Sequence, residues 1–420
     1  MSAEKKRIVK RSKTNSVMEL VASRLGVTPQ ELEREVSGKC KNVLNIAGLD
    51  KAVDLFWSMI DSPVYVYCDY DCDGITSGSI ISIGCNSIGI KPHIIIPRRF
   101  TDGYGIKVKN LENMDPSGLL ITVDNGIAAN EAVDTAKEKG MKVIILDHHE
   151  ARILNGEQFL PEADVVIDPH ITEADFEDYC GAGLAYRFMR EVFAKKRRPA
   201  DLNGIMSSMI ALAAVGTVGD SVTMKAENRF LVRRGMEQIE QKRVSTGLAL
   251  LLEEMKLSDT LSVEDIAYSL VPAINAFGRL EDEGSRKVAA LLSYTGRKSD
   301  GAKNAAQIVK QMNDERKTYC KELTELAEKM VEVTGQMNNS VLVLQDDRFL
   351  KGICGIIAGN LTEKYKVPSI VFGAPENGIC VGSGRSRDWC NLKAAMDKCS
   401  GLFFPVSYTH LRAHETGAYL

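Results

Sequence analysis

The stretch YCDYDCDGITSG (67–78) places Asp69, Asp71 and Asp73 at alternate positions ahead of Gly74. D-x-D-x-D-G is how a twelve-residue calcium loop begins, but such a loop sits between helices and ends on a bidentate Glu. The twelfth position here is Ile80, and the preceding PVYVYC (63–68) is a β-branched and aromatic run that predicts a strand. The calcium reading fails on both counts. What the spacing supports is a strand that delivers three carboxylates onto a glycine turn opening a helix.

Two more apolar runs end in the same way. GLLITV (118–123) leads into Asp124, Asn125 and Gly126, and KVIIL (142–146) leads into Asp147, His148 and His149. A lone acid after a strand is commonly a helix N-cap. Three strand ends bearing five aspartates and two histidines are another matter, because so many carboxylates in one crevice repel unless cations neutralise them. Oxygen donors mixed with imidazole suit Mn2+ or Mg2+, and two such ions about 3.5–4 Å apart form a phosphoester-hydrolysing site.

For these groups to meet, their strands must lie in one parallel sheet, whose C-terminal ends all open on one edge. The chain has that pattern. From Pro63 onward the runs PVYVYC, HIIIP, GLLITV and KVIIL alternate with the helical stretches TSGSIISIGCNSI and NEAVDTAKEKG. Alternation predicts βαβ units, and the unbroken apolar runs predict strands buried on both faces. Residues 180 to about 295 read as longer helices, of which GIMSSMIALAAVGTV (204–218) is apolar nearly all round and predicts a buried one. Polar, helix-forming residues 300–333 predict a connecting helix. VLVLQ (341–345), GICGIIAGNLTEKY (352–365), PSIVF (368–372) and ICVGSG (379–384) then predict a second, smaller α/β domain.

Composition narrows the class. At 420 residues the chain holds about two to three domains. Its 44% apolar and 26% charged residues are those of a soluble globular protein, and no run approaches the roughly 20 apolar residues of a bilayer span. No membrane partner is expected. The N-terminal MSAEKKRIVKRSK is basic without the apolar segment of a secretory signal, so a cytoplasmic location is expected. The ten cysteines are scattered and read as reduced, buried, small apolar residues. A net charge of -3 argues against coating nucleic acid by bulk charge, leaving local candidates: Lys5, Lys6, Arg7, Lys10, Arg11 and Lys13; Arg98 and Arg99; Arg385 and Arg387.

YCDYDCDGIT, TVDNG and LDHH, in this order, resemble the motifs of the DHH phosphoesterase superfamily. IPRRFTDGYGI (96–106), CGAGLAYRF (180–188), ALAAVGTVGDSV (211–222) and PAINAFGRL (272–280) are similar to those of its RecJ-type exonucleases, specific for single-stranded DNA. GICGIIAGNLTEKYKVPSIVF followed by GSGRS (382–386) resembles the smaller DHH-associated domain. The likeness runs from about residue 60 to 404. It implies an α/β fold in which a basic segment and lead-in helices (1–60) precede a parallel-sheet catalytic domain (61–295). A connecting helix (296–335) would join this to a partial DHH-associated, substrate-binding domain (336–404). The implied activity is metal-dependent hydrolysis of single-stranded DNA from the 5′ end to mononucleotides, in DNA repair and recombination. A single-strand-binding protein or a helicase would be the protein partner.

By the same resemblance Asp71 would hold one divalent ion, Asp73 and His148 the other, and Asp124 would bridge them. Mn2+ is the expected ion and Mg2+ the alternative. Asp220, at the end of VGTVGD, is similar to the family's last metal-binding aspartate. His149 would lie beside the scissile phosphate and Asp147 would orient the histidines. Asn275 and Arg279 would hold substrate, as would Gly382, Ser383, Gly384, Arg385 and Ser386, whose amides and guanidinium would act as an anion nest. Family members often carry His where this chain has Tyr67, and Asp69 is the natural compensating ligand.

The end of the chain departs from the family. Members continue past NLKAAMDKCSGLFF (391–404) into a Gly-Gly-His loop and usually a five-stranded nucleic-acid-binding barrel, whereas here PVSYTHLRAHETGAYL (405–420) follows. It lacks apolar periodicity and resembles translated adapter sequence, so a non-native tail on a truncated enzyme is expected. Two rival functions remain. One is a DHH phosphodiesterase acting on short oligoribonucleotides or cyclic dinucleotides, which is usually shorter and lacks the PAINAFGRL insert. The other is a non-catalytic replication scaffold of the superfamily, against which the full ligand set argues.

Overall fold

The computed structural model describes residues 16–36, 44–103, 105–154, 156–196, 198–257, 261–376 and 378–399. The basic N-terminal cluster and the 405–420 tail lie outside the described residues. Three short helices lead in, α1 (Val17–Leu25), α2 (Pro29–Val36) and α3 (Leu49–Ser58). The first domain then alternates β1 (Val64–Cys68), α4 (Cys72–Ser87), β2 (His93–Ile95), β3 (Leu119–Val123), α5 (Asn130–Glu138) and β4 (Lys142–Leu146). An antiparallel hairpin of β5 (Arg152–Leu154) and β6 (Glu157–Phe159) precedes β7 (Val165–Ile167).

The five-stranded sheet has the order β2-β1-β3-β4-β7, with every pair parallel. Successive side chains leave opposite faces of a strand. Val64, Val66, Leu119, Ile121, Ile144 and Leu146 accordingly join the larger core, while Tyr65, Tyr67, Leu120, Val143 and Ile145 meet Ala132, Val133 and Ala136 of α5. Burial on both faces is why the strand runs show no polar alternation.

Helices α6 (Gly181–Lys195), α7 (Leu202–Gly219), α8 (Ala226–Glu240) and α9 (Thr246–Glu254) follow, then α10 (Val263–Asp265), α11 (Val271–Leu280) and α12 (Gly284–Leu292). The expectation that no run nears bilayer length does not hold for α7, which has 18 residues and a mean hydropathy of 1.5. Its apolar surface is met by protein: α4, α6 and α8 pack around it, and Met209 to Val215 are all buried. The predicted buried helix is this one.

The 34-residue α13 (Asp300–Val333) contributes Ala306 and Val309 to the first core and Cys320, Ala327 and Val331 to a second. That second core lies under a three-stranded sheet of β8 (Leu342–Gln345), β9 (Ser369–Glu376) and β10 (Ile379–Arg385), with α14 (Lys351–Tyr365) packed on it. A short α15 (Leu392–Asp397) ends the described chain. Cysteine burial fits only in part. Cys68, Cys72, Cys85, Cys180, Cys320 and Cys354 are buried, but Cys380 and Cys399 are exposed and Cys390 half-buried. These three fall on the edge strand β10 and on the segment after it.

Candidate metal centre

Register brings the acids together. Cys68 pairs with Val123 and Val123 with Leu146, so β1, β3 and β4 end at one level and release Asp69, Asp124 and Asp147 side by side. Asp71 caps α4, its Oδ1 accepting from the N–H groups of Asp73 (3.0 Å) and Gly74 (3.2 Å). Asp124 has φ 59°, left-handed backbone for a non-glycine residue, a strained geometry that clusters at functional sites. Asp220 is the C-cap of α7 and completes the group from behind. Asp69, Asp73, Asp124, Asp147 and Asp220 are all buried.

The carboxylate of Asp73 faces the start of α6, accepting from the Gly181 N–H (2.6 Å) and the Ala182 N–H (2.9 Å). Helix N-termini favour anions. The approach needs glycine: a Cβ on Gly181 would lie 2.6 Å from Asp124 Cβ and 3.0 Å from Asp73 Oδ2. His148 Nε2 lies 3.1 Å from Asp124 Oδ1 and 3.7 Å from Asp73 Oδ2, and its Nδ1 is 3.8 Å from Asp220 Oδ2. His149 Nδ1 sits 2.7 Å from Asp147 Oδ1, and Asp147 also accepts from the Ile127 and His148 N–H groups. Asp147 thus positions both histidines.

Electrostatics separates two kinds of carboxyl. Burial and then the charge of Asp71 push Asp69 up to about 8 and Asp73 to about 6, and burial with the charges of Asp73 and Asp71 raises Asp124 well above the usual range. Burial also acts on Asp147, but the charge and hydrogen bond of His149 bring it down to about 2. His149 is the reciprocal case: burial lowers it, yet Asp147 carries it up to about 9. Three overlapping groups have donor atoms all within 4.8 Å: Asp69, Asp71 and Asp124; Asp124, His148 and His149; and Asp73, His148 and Asp220. Crowded, buried carboxylates with imidazole fit divalent Mn2+ or Mg2+ chemically, and Asp124 is common to two of the groups.

The substrate-binding candidates lie on α11 and on and after β10. Arg279, on α11, donates from Nη1 to the Gly352 carbonyl (3.1 Å) in the first turn of α14. Arg385 donates to Ser383 Oγ (3.1 Å) and the Gly384 carbonyl (2.9 Å), and a Cβ on Gly355 would come within 3.1 Å of its Nη2. The two arginines thus meet the same end of α14. Asn275 lies on the half-buried side of α11. The anion-nest expectation for Gly382 to Ser386 is corrected. Gly382, Ser383, Gly384 and Arg385 are strand, paired with Phe372, Val371, Ile370 and Ser369, and Ser386 Oγ bonds the Cys390 carbonyl (2.6 Å). Neither glycine has positive φ, which a nest requires, and the bare backbone there accommodates Phe372 and Leu392.

Sequence reasoning missed three features. In the sequence Arg99 stands out only as half of a basic pair, yet its guanidinium lies 4.2 Å over the Tyr70 ring and its charge acts on Asp69. Asp168, after β7, is fully buried and raised to about 7 by burial and by Asp147. VVIDP is a fourth strand ending in acid, so the rule applied to the other three would have found it. The third is the pair of α6 amides on Asp73, signalled only by Gly181. Tyr67 proves to be no ligand candidate: its hydroxyl donates to the Gly105 carbonyl (3.0 Å) on the other face of the sheet.

Residues 63–217, which hold the parallel sheet and its acidic edge, match the N-terminal domain of the DHH family. Likeness over the whole chain is narrower. It is 30% identical over 406 residues to the single-stranded-DNA-specific exonuclease RecJ of Escherichia coli (strain K12), covering 91% of this chain and 68% of that protein. RecJ of Bacillus subtilis (strain 168) is 31% identical over 363 residues, 43% of its length. A crystal structure of exonuclease RecJ bound to manganese superposes with a TM-score of 0.69 at 26% identity, covering 82% of this chain and 83% of that one. The chain belongs to the RecJ family of single-stranded-DNA-specific exonucleases.

Proposed function

We propose that this chain is a divalent-metal-dependent exonuclease that hydrolyses phosphodiester bonds of single-stranded DNA from the 5′ end and releases mononucleotides. The observation that carries the reading is the cluster of buried Asp69, Asp73, Asp124 and Asp220 with half-buried Asp71 and His148, Asp124 being common to two candidate ion sites, on a chain of this family. Asp69, Asp71 and Asp124 would hold one Mn2+ or Mg2+, and Asp73, His148 and Asp220 the other, with Asp124 between them. Bound there, such ions supply a nucleophile at neutral pH and Lewis-acid stabilisation of charge on the reacting phosphoryl oxygens.

The remaining roles fall to side chains. His149, whose Nδ1 is held by Asp147, offers its other ring nitrogen to the scissile phosphate. Arg279 and Arg385, at the first turns of α14, take further phosphates, with Asn275 on the same helix as Arg279 and Ser383 and Ser386 beside Arg385. Residues 61–295 form the catalytic part, 296–335 the connector and 336–404 the part that holds the strand against it. Single strands in a cell are presented by single-strand-binding protein or opened by helicases, so these are the protein partners in this reading, in the cytoplasm and in DNA repair and recombination.

Incubation with Mn2+ and end-labelled single-stranded DNA, short RNA or cyclic dinucleotide tests the proposal. Cleavage of the DNA to mononucleotides from its 5′ end is expected. Preference for short RNA or the cyclic dinucleotide would make the chain an oligonucleotide phosphodiesterase, and no cleavage of any would make it a scaffold.

A further inference from the structure

The helix that carries Asn275 and Arg279 begins earlier than α11. α10, a single π-helical turn (Ile266–Leu270) and α11 run on without a break, since Leu270 (φ -71°, ψ -49°) and Val271 (φ -58°, ψ -48°) are both helical. In the π turn the Val271 N–H reaches the Ile266 carbonyl, five residues back. Pro272 explains it. A proline inside a helix drives its ring against the carbonyl four residues earlier, here that of Tyr268, and a widened turn relieves the clash.

Ile266, Leu270, Ala273, Ile274 and Phe277 are buried on one side of this helix. The opposite side reads Tyr268, Pro272, Asn275 and Arg279, at spacings of four, three and four that form one helical stripe. Arg279 marks the end nearest the metal centre: Gly278 beside it packs against Ser285, whose hydroxyl donates to the carbonyl of Tyr70 (2.7 Å), between Asp69 and Asp71. At the other end Tyr268 leaves 59% of its surface exposed. Eleven residues at about 1.5 Å each put it about 16 Å along the axis from Arg279. A stacked strand advances about 3.4 Å per nucleotide and an extended one more, so that distance spans about two to five nucleotides.

We propose that Tyr268 is a stacking platform for a nucleobase of the bound single strand, two to five nucleotides from the phosphate held at Arg279. The inference rests on the single-stranded-DNA reading above. Stacking on a phenol ring suits an enzyme that does not read sequence, because every base has a π-face. The half-buried Pro272 and Asn275 between the two ends form the floor of the track.

The test uses 12-mer single strands, each with one abasic nucleotide at positions one to eight from the 5′ end, digested in Mn2+. With wild-type protein KM should rise about 5- to 100-fold at one position and less at its neighbours. Tyr268→Ala should raise KM on the intact 12-mer by a similar factor, with a smaller change in kcat, and should lose the extra penalty at that abasic position. Tyr268→Phe and Tyr268→Trp should keep the wild-type profile. The proposal is overturned if Tyr268→Ala retains the wild-type abasic profile, or if Tyr268→Phe behaves like Tyr268→Ala, which would assign the effect to the hydroxyl. A wild-type protein that cuts no DNA refutes the functional reading itself, whereas cutting with a flat abasic profile refutes only the role of Tyr268.

Discussion

Gly181→Ala is the most informative substitution at the metal centre, because it adds one methyl group and removes no ligand. The new Cβ would stand 2.6 Å from Asp124 Cβ, about 0.8 Å inside the 3.4 Å at which ordinary contacts begin, and 3.0 Å from Asp73 Oδ2. Neither neighbour is the loose end of a long side chain. Asp124 is held at strained φ and Asp73 by two backbone amides, so the first turn of α6 must retreat. Overpacking of this kind costs about 1–3 kcal/mol of stability. Retreat also stretches the Gly181 and Ala182 hydrogen bonds that orient Asp73, and losing such outer partners typically weakens metal binding about 10–100-fold. Calorimetric titration with Mn2+, paired with urea melts, measures both effects. Gly301→Ala is the control: nothing lies within 4 Å of a Cβ there, so in the first turn of α13 it should be neutral or stabilise by up to about 1 kcal/mol. If Gly181→Ala bound Mn2+ within twofold of wild type, the amides of α6 would not be setting the position of Asp73.

Asp124→Ala should cut the rate at saturating Mn2+ at least about 10³-fold with the fold kept, and a variant retaining a tenth of wild-type activity would refute a shared ligand. Metal removal should expose the protonation of the cluster. Asp69 and Asp73 sit at about 8 and about 6 against an unfolded value near 3.9, so their stabilising contribution is full below about pH 4 and lost as pH rises through those values. The metal-free protein should therefore melt earlier at pH 8 than at pH 4.5, and saturating Mn2+ should abolish the trend; a flat metal-free profile would contradict it. Blunt duplex should be cut far more slowly than single strand, and KM for the single strand should climb with salt as counterion release requires. Equal rates on both forms would exclude a cleft that admits one strand at a time.

How much of the site could be read in advance follows from where its chemistry is encoded. Asp69, Asp124 and Asp147 were legible because an apolar run ending in acid is a local signal, and a parallel sheet brings every such end to one edge. Asp168 obeyed the same rule and was passed over. Backbone donors are different in kind. Nothing in the side chains of Gly181 and Ala182 announces that their amides bind Asp73, more than 100 residues earlier, and only the absence of a Cβ hints at a close neighbour. Glycine is ambiguous for the same reason. In Gly382-Ser383-Gly384 it suggested an anion nest, but pairing with β9 decides the conformation, and the missing side chains make room for Phe372 and Leu392. Hydropathy fails likewise for α7, since burial among α4, α6 and α8 demands the same apolar surface as a lipid environment. Side-chain chemistry placed on a regular element can be read from one chain. Chemistry supplied by backbone, or by a neighbour distant in sequence, has to wait for the fold.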